Sequence, residues 1–109
     1  MRSLKIVSGT MMLLFSSQLF AGWTSTDGEV LQVFSHNGFH LVKTNIPAST
    51  CSTSGHFWWP ADDPDADDML SIALAAFMSG KKVGFVHNTD TPECLWNNWN
   101  KATHIRISH

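Results

Sequence analysis

The residues with the most distinctive chemistry are tryptophans placed beside asparagines. Two tryptophans lie in CLWNNWN, residues 94–100, and two more lie in HFWWP, residues 56–60. An indole ring stacks on the apolar face of a sugar, and an asparagine amide offers both a hydrogen-bond donor and an acceptor. The combination is typical of carbohydrate recognition. The alternative is that the tryptophans are core anchors, which is the commoner role of a large aromatic residue.

Five side chains in these two stretches are candidate ligand contacts: Trp99, Asn97, Asn98, Asn100 and Trp58. Neighbouring residues on a strand point to opposite faces, so one of Trp58 and Trp59 should lie outside. Trp96 stands two residues from Cys94 and is the better candidate for the core. The sequence therefore predicts that Trp99 is the tryptophan that touches a ligand.

The histidines are the other residues that invite a chemical interpretation, as metal ligands or as acid–base groups. His36 and His40 have the i, i+4 spacing of a metal pair. On a hairpin with a two-residue turn, however, they fall on opposite faces, and the pair is lost. The remaining histidines are scattered, and HExxH, GxSxG and a glycine-rich phosphate loop do not occur. We therefore expect no catalytic residue, no metal and no cofactor, and the protein is predicted not to be an enzyme.

The beginning of the chain predicts export. Arg2 and Lys5 precede a short apolar run, Ile6 to Phe20, and the small residue Ala21 follows it. This is the pattern of a signal peptide over residues 1–21. The run is too short and too broken by polar residues for a membrane span. Residues 22–109 then form a single secreted or periplasmic domain without a membrane span. Its net charge is −4 with histidine neutral, because five Lys and Arg oppose nine Asp and Glu. This balance argues against nucleic acid as a partner.

The two cysteines, Cys51 and Cys94, both lie in the exported part. In an oxidising compartment two cysteines predict one disulfide. The alternative, a reactive thiol with a histidine partner, leaves the second cysteine without a role.

The elements that must position these residues are five strands and one helix. Asn37-Gly38 predicts a two-residue turn between strands 29–35 and 39–46, with His36 opposite Phe39 and Val33 opposite Val42. HFWWP is a third strand, KVGFVHN a fourth and THIRIS a fifth, with a long loop carrying Cys94 before the last. A helix separates the third and fourth strands. The order predicts a mainly β protein built as a five-stranded OB-fold-like barrel.

The helix has marked ends. Asp62 or Asp63 is predicted to cap its start, Pro64 suits the first turn, and Gly80 ends it. The acidic run DDPDADD is explained by the positive end of the helix dipole. A calcium loop is the alternative, but the run lacks the turn glycine and the closing glutamate.

The middle of the helix is unusually apolar, with no charged residue from Met69 to Gly80. One stripe is predicted to cover the barrel end: Ala66, Met69, Leu70, Ala73 and Phe77. A second set is predicted to face away from the barrel: Ile72, Ala75, Ala76 and Ser79. A surface helix normally carries charge on its far side, so this second set is a candidate oligomer interface. The alternative is that these small, weakly apolar residues are simply exposed.

The chain resembles small exported bacterial proteins related to the B subunits of subtilase-type and pertussis-like toxins. The resemblance is carried by Trp23, GEVLQV, MLSIALAAFMSGKKVGFVH and the two cysteines, and it covers most of residues 22–109. It implies an OB-fold, a homo-pentamer with helices lining its centre, a glycan on a host or other surface as ligand, and an exported enzymatic partner subunit. The family's sugar-binding serine is not matched, because the corresponding stretch is STDGEVL and Ser25 is out of register.

These observations predict a secreted, non-catalytic, B-subunit-like binding protein that binds glycans and forms a ring. The alternative is a secreted or periplasmic protein-interaction module, such as an inhibitor or an assembly subunit, without sugar specificity. It would use the same apolar helix and exposed aromatic residues, and composition does not separate the two.

Overall fold

The computed structural model describes residues 21–48, 50–88 and 93–108. The predicted signal peptide lies outside the described residues except for Ala21. The chain forms a mainly β structure with one helix and one disulfide. Its elements are β1 Ala21–Trp23, β2 Gly28–His36, β3 Phe39–Thr44, β4 His56–Pro60, α1 Ala66–Ser79, β5 Lys82–Asn88, β6 Cys94–Leu95 and β7 Trp99–Ser108.

Five of these strands close into a ring. β2, β3 and β4 form an antiparallel meander, β4 runs parallel to β7, and β7 and β2 both pair antiparallel with β5. β1 extends the sheet beside β5, and β6 extends it beside β7. A bulge at Leu31 interrupts the β2–β3 register. Because bulges bend a strand, it lets β2 turn from one partner strand to the other.

The first hairpin has the predicted register. His36 pairs with Phe39, and Val33 pairs with Val42. The two turn residues have positive φ, 49° at Asn37 and 82° at Gly38. A type I′ turn needs positive φ at both central positions, and asparagine and glycine adopt it most readily.

The core lies inside the ring and is closed at one end by α1. The rings of Phe57 on β4 and Phe85 on β5 stack with 4.2 Å between their centroids. Trp59 is fully buried, and its indole N–H donates to the carbonyl of Ala66 at the start of the helix, 3.1 Å away. This bond fixes the helix start against β4.

The helix begins and ends close to the predicted residues, but its cap differs. Gly80 adopts the left-handed conformation, and its N–H donates to the carbonyl of Ala76, as expected for a terminating glycine. The predicted caps, Asp62 and Asp63, are wrong. The N-cap residue is Asp65, and its side chain makes no capping hydrogen bond.

The predicted faces of the helix are partly wrong. The residues packed on the core are Ala66, Met69, Ala73 and Ala76, which are spaced by three, four and three positions. Ala76 was predicted to face away, but it is buried. Phe77 was predicted to cover the barrel end, but it is largely exposed. At about 100° per residue, the buried stripe extends from Ala66 at one edge to Ala76 at the other, and Phe77 lies just beyond the edge opposite to Ala76.

Two of the four predicted interface residues, Ala75 and Ser79, are exposed, and Ile72 is half-buried against the core. The large exposed side chains of the helix are Leu74, Phe77 and Met78, and Met78 is 82% exposed. These three residues, at i, i+3 and i+4, lie on one side of the helix. We call them the outer helix face.

Candidate functional site

The stretch CLWNNWN forms a tight hairpin instead of the predicted long loop. Cys94 pairs with Asn100, and Leu95 pairs with Trp99, so that only residues 96–98 form the turn. Trp96 and Asn97 both have positive φ, 51° and 70°. This conformation is uncommon for residues other than glycine and asparagine. The turn directs the Trp96 side chain away from the core, and 52% of the residue is exposed.

The turn is held against the loop that carries Cys51. The Cys51–Cys94 disulfide is present, as predicted. The amide N–H and the hydroxyl of Ser52 both donate to the carbonyl of Asn97. The single hydroxyl proton of Ser52 is shared between this carbonyl and the side-chain oxygen of Asn98, which also accepts from the Thr53 hydroxyl. These bonds keep Trp96 in one place although its side chain is exposed.

Trp96 lies beside two aromatic side chains from the tip of the first hairpin. Its ring centroid is 5.7 Å from that of His36 and 6.5 Å from that of Phe39, both in edge-to-face geometry. Phe39 in turn meets Trp58 edge-on at 5.2 Å. We call Trp96, His36, Phe39 and Trp58 the Trp96 surface. It brings together the turn between β2 and β3 and the turn between β6 and β7.

An open cleft of about 590 Å³ adjoins this surface. Phe39 forms part of its wall, and Asn37 and Asp62 add an amide and a carboxylate. An aromatic platform beside hydrogen-bonding groups can stack a sugar ring and bind its hydroxyls. The same arrangement can also take an aromatic or apolar side chain of a protein partner.

The predicted burial of Trp96 and Trp99 is reversed. Trp99 is only 7% exposed and stacks on His56, with 4.6 Å between ring centroids. Phe34 packs against its edge at 5.7 Å. Trp99, Leu41 and Trp58 form a second apolar cluster on the outer side of the strands. This cluster covers the face of β3 and β4 opposite to the main core, which the alternation of side chains along a strand would by itself assign to solvent.

Trp58 and Trp59 point to opposite faces as predicted, but neither is freely exposed. Trp59 lies in the main core, while Trp58 lies in the second cluster, where its ring meets Phe39. The Trp58 indole N–H donates to the carbonyl of Glu93, 3.2 Å away, and Lys101 Nζ lies 5.8 Å from the ring centroid. Lys101 is ion-paired with Glu93 at 3.6 Å.

The predicted asparagine contacts have different environments. Asn100 is 1% exposed, so its amide is fully used inside the protein. Asn97 and Asn98 are exposed, but the side-chain oxygen of Asn98 already accepts from the neighbouring loop. Of the five predicted ligand contacts, Asn97 and Asn98 are the two that are exposed, and both lie in the turn with Trp96.

The histidines near the site do not converge. His36 is exposed beside Trp96, whereas His40 is buried and its Nδ1 lies 2.7 Å from the Ser35 hydroxyl, so the predicted separation of the two is confirmed. Burial lowers the pKa of His56, and the positive charge of Lys43 lowers it further. Both effects favour the neutral form of the His56 ring, which stacks on Trp99. Within the described ranges, no cluster of three or more His, Cys, Asp or Glu could hold a metal ion.

The stretch STDGEVL, where the family resemblance would put a sugar contact, lines a separate polar cleft of about 370 Å³. One of its charged groups, the Asp27 carboxylate, accepts hydrogen bonds from Arg106 at 3.3 Å and from the Ser108 hydroxyl. The cleft therefore lacks a free carboxylate at Asp27.

Sequence reasoning missed His36 and Phe39 as members of the site. The signal was present, since both flank the predicted turn and pair with each other. What the sequence lacked was the contact between that turn and residues 94–100.

In the part of the chain that the structure describes, no helix has the length and apolar character to cross a membrane. Comparison with protein-family models, with curated proteins and with solved structures finds no match to this chain.

Proposed function

We propose that the protein is an exported, non-catalytic binding protein that recognises glycans through the Trp96 surface. The observation that carries the proposal is a half-exposed tryptophan held in a rigid turn beside Phe39 and His36. A preorganised aromatic platform binds a sugar ring with little loss of conformational entropy. The adjoining cleft supplies polar groups for the hydroxyls.

The fold that we propose for this protein is the OB-fold. Its support is the closed order β2-β3-β4-β7-β5, the parallel contact between β4 and β7, and the helix between β4 and β5. OB-folds bind ligands with the loops at one end of the barrel and the adjoining strand faces. The Trp96 surface combines two such loops.

We further propose that the outer helix face joins copies of the chain into a ring, with a pentamer as the expected assembly. Leu74, Phe77 and Met78 are apolar and exposed together. Contiguous exposed apolar side chains are uncommon on monomers and typically mark an interface. Such a ring places several Trp96 surfaces on one particle, which raises avidity for a multivalent glycan. An exported enzymatic subunit is the expected partner of such a ring.

The glycan proposal is tested on a glycan array with the oxidised, exported protein. Binding to a defined set of glycans is expected, and Trp96→Ala should abolish it while leaving the circular dichroism spectrum unchanged. Trp23→Ala is the matched control, because Trp23 is also partly exposed but belongs to a different face. Array signals that are equal for Trp96→Ala and the wild type would refute the Trp96 surface as the sugar site.

The ring proposal is tested separately by light scattering coupled to size exclusion. The wild type should have about five times the monomer mass, and Phe77→Glu with Met78→Glu should give a monomer because it charges the interface. Trp96→Ala should keep the ring. A wild type that stays monomeric at all concentrations would end the ring proposal without deciding the glycan proposal.

The alternative function, a protein-interaction module without sugar specificity, is favoured by the same outer helix face. It predicts no array signal and a stable complex with a second exported protein. A complex that Phe77→Glu disrupts and Trp96→Ala does not would support this alternative.

A further inference from the structure

A second cleft lies on a different part of the molecule, between the start of α1 and the strands β1 and β7. Its volume is about 320 Å³, within the range of small-molecule sites. Met69 and Ile72 of the helix and Ile105 of β7 supply an apolar floor, and Trp23 of β1 forms one wall. We call it the Trp23 cleft. It is distinct from the Trp96 surface, which contains none of these residues.

One wall of the cleft is formed by Trp23, which belongs to neither hydrophobic cluster. Trp23 pairs through its backbone with Val86 of β5, and 41% of the residue remains exposed. Its ring lies edge-on to His104 at 6.1 Å, and the guanidinium carbon of Arg106 lies 4.5 Å from the ring centroid. These contacts orient the indole while leaving part of it open to the cleft.

Two carboxylates stand at the helix side of the cleft, Asp65 and Asp68. Asp65 occupies the N-cap position, yet its side chain does not cap the helix. Residues at i and i+3 lie on the same side of a helix, so the two charges are neighbours. Neither side chain forms an ion pair or a hydrogen bond within the described ranges. Arg106, the arginine that lines the cleft, forms its ion pair with Asp27, at 3.3 Å, and not with these two carboxylates.

We propose that the Trp23 cleft binds an ammonium group carried on an apolar stem. The apolar body packs on Ile72, Met69 and the open part of the Trp23 ring, while the cation meets Asp65 and Asp68. The proposed ligand is cationic because Asp65 and Asp68, the carboxylates that line the cleft, have no ion-pair partner among the residues that the structure describes, whereas the lining Arg106 is paired with Asp27. Attraction between an ammonium and two carboxylates next to an aromatic wall is the chemistry by which proteins recognise amines.

Two sources could supply this chemistry: a free small amine, or the lysine side chain of a peptide. The competing possibility is an anionic ligand that displaces Asp27 from Arg106 and uses His104 as a second donor. A matched pair of probes with the same ring and opposite charges separates it from our proposal. Phenethylammonium and 3-phenylpropionate are such a pair, and 2-phenylethanol is the neutral reference.

The test is a nuclear magnetic resonance titration of the ¹⁵N-labelled, oxidised, exported protein at pH 7 and low salt. Phenethylammonium should shift the indole N–H of Trp23 and the amide of Asp68 in a saturable way. The neutral and anionic probes should bind at least about ten-fold more weakly, since a charge-assisted contact has at least that effect. Added salt should weaken the binding, because the carboxylates are exposed.

Three variants complete the test. The double change Asp65→Asn and Asp68→Asn should weaken phenethylammonium binding by about ten-fold. It should leave the fold intact, since neither side chain has an ion-pair or hydrogen-bond partner in the described part of the chain and the loss of their attraction to the helix dipole has a small effect at an exposed site. Trp23→Leu should weaken all three probes. Trp96→Ala, the control, should change none of them.

A capped tripeptide with a central lysine then identifies the source. Binding as tight as that of the free amine indicates a peptide partner, and binding of the free amine alone indicates a small amine. Equal affinity for the anionic probe, an unchanged affinity of the double variant, or no saturable shift with phenethylammonium would overturn the proposal. None of these outcomes depends on glycan binding, so the two proposals fail independently.

Discussion

Replacing Asn100 by alanine removes the polar anchor that joins the disulfide loop to β7. The Asn100 side-chain oxygen accepts from the backbone N–H groups of Thr50 and Cys51, at 2.9 and 3.1 Å. Its amide nitrogen donates to the carbonyls of Thr53 and His56, at 3.3 and 2.8 Å. One buried side chain thus satisfies four backbone groups, and alanine satisfies none.

The expected cost follows from these four groups. Each lost hydrogen bond of this kind reduces the free energy of unfolding by about 1 kcal/mol, and more where water cannot replace the partner. Because the loop is only partly buried, we expect a total loss of about 3–4 kcal/mol. The melting temperature of a domain of this size should then fall by about 15–25 °C. Asn100→Asp keeps the acceptor and loses the donor, so it should lose about half as much.

The assay is urea denaturation of the oxidised protein, followed by tryptophan fluorescence. Asn98→Ala is the matched control, because Asn98 lies in the same hairpin but its side chain is exposed. We expect this control to lose less than about 1 kcal/mol. If Asn100→Ala unfolds at the same urea concentration as Asn98→Ala, the buried amide does not hold the loop and the reasoning fails.

Three further predictions concern single positions. Trp99→Ala should lower the free energy of unfolding by about 3–5 kcal/mol and Trp96→Ala by less than about 1 kcal/mol. If Trp96→Ala proves the less stable variant in denaturation, Trp99 is not the core tryptophan. Gly55→Ala should lower the free energy of unfolding by at least about 2 kcal/mol, because its φ is +77° and an added Cβ would clash with the backbone carbonyl of Thr44. Gly38→Ala, with φ +82° but open space around the added Cβ, should lower it by about 1 kcal/mol. Equal melting temperatures of the two variants would refute the close approach at Gly55. Burial lowers the pKa of His87 below 6.5, so the unfolded state takes up the proton first and stability should fall as pH drops below about 6.5. In denaturation experiments from pH 7.5 to 5, His87→Leu should reduce this loss of stability at low pH. A variant with the same pH dependence as the wild type would show that His87 does not cause the loss.

Several features of the fold could be predicted because their signals are local in sequence. Asn37-Gly38 demands a two-residue turn, and the turn alone sets the pairing of β2 with β3. Gly80 ends the helix, since a glycine adopts the left-handed conformation at little cost. With only two cysteines present, a single disulfide pairing was available.

The candidate site could be predicted only in part. The sequence singles out the stretch 94–100, which supplies Trp96 to the proposed site, but the choice between Trp96 and Trp99 depended on a three-residue turn with two positive φ angles. The turn signal in that stretch is Asn97-Asn98, which is weaker than an Asn-Gly pair. The burial of Trp99 also required the side chains of Phe34 and His56, which come from other strands.

The sequence by itself determined the succession of the five longer strands and the helix along the chain, the first hairpin, the helix end and the disulfide. Each of these depends on residues that are adjacent in the chain or on a pairing without alternatives. The tertiary structure decided which side of α1 is buried, because a helix that is apolar nearly all round has no hydrophobic pattern to select a face. It also decided that Trp96 is exposed and Trp99 buried, since a second apolar layer covers the outer side of the strands. Contacts between distant segments create that layer, and a pattern of alternation along one strand does not contain them.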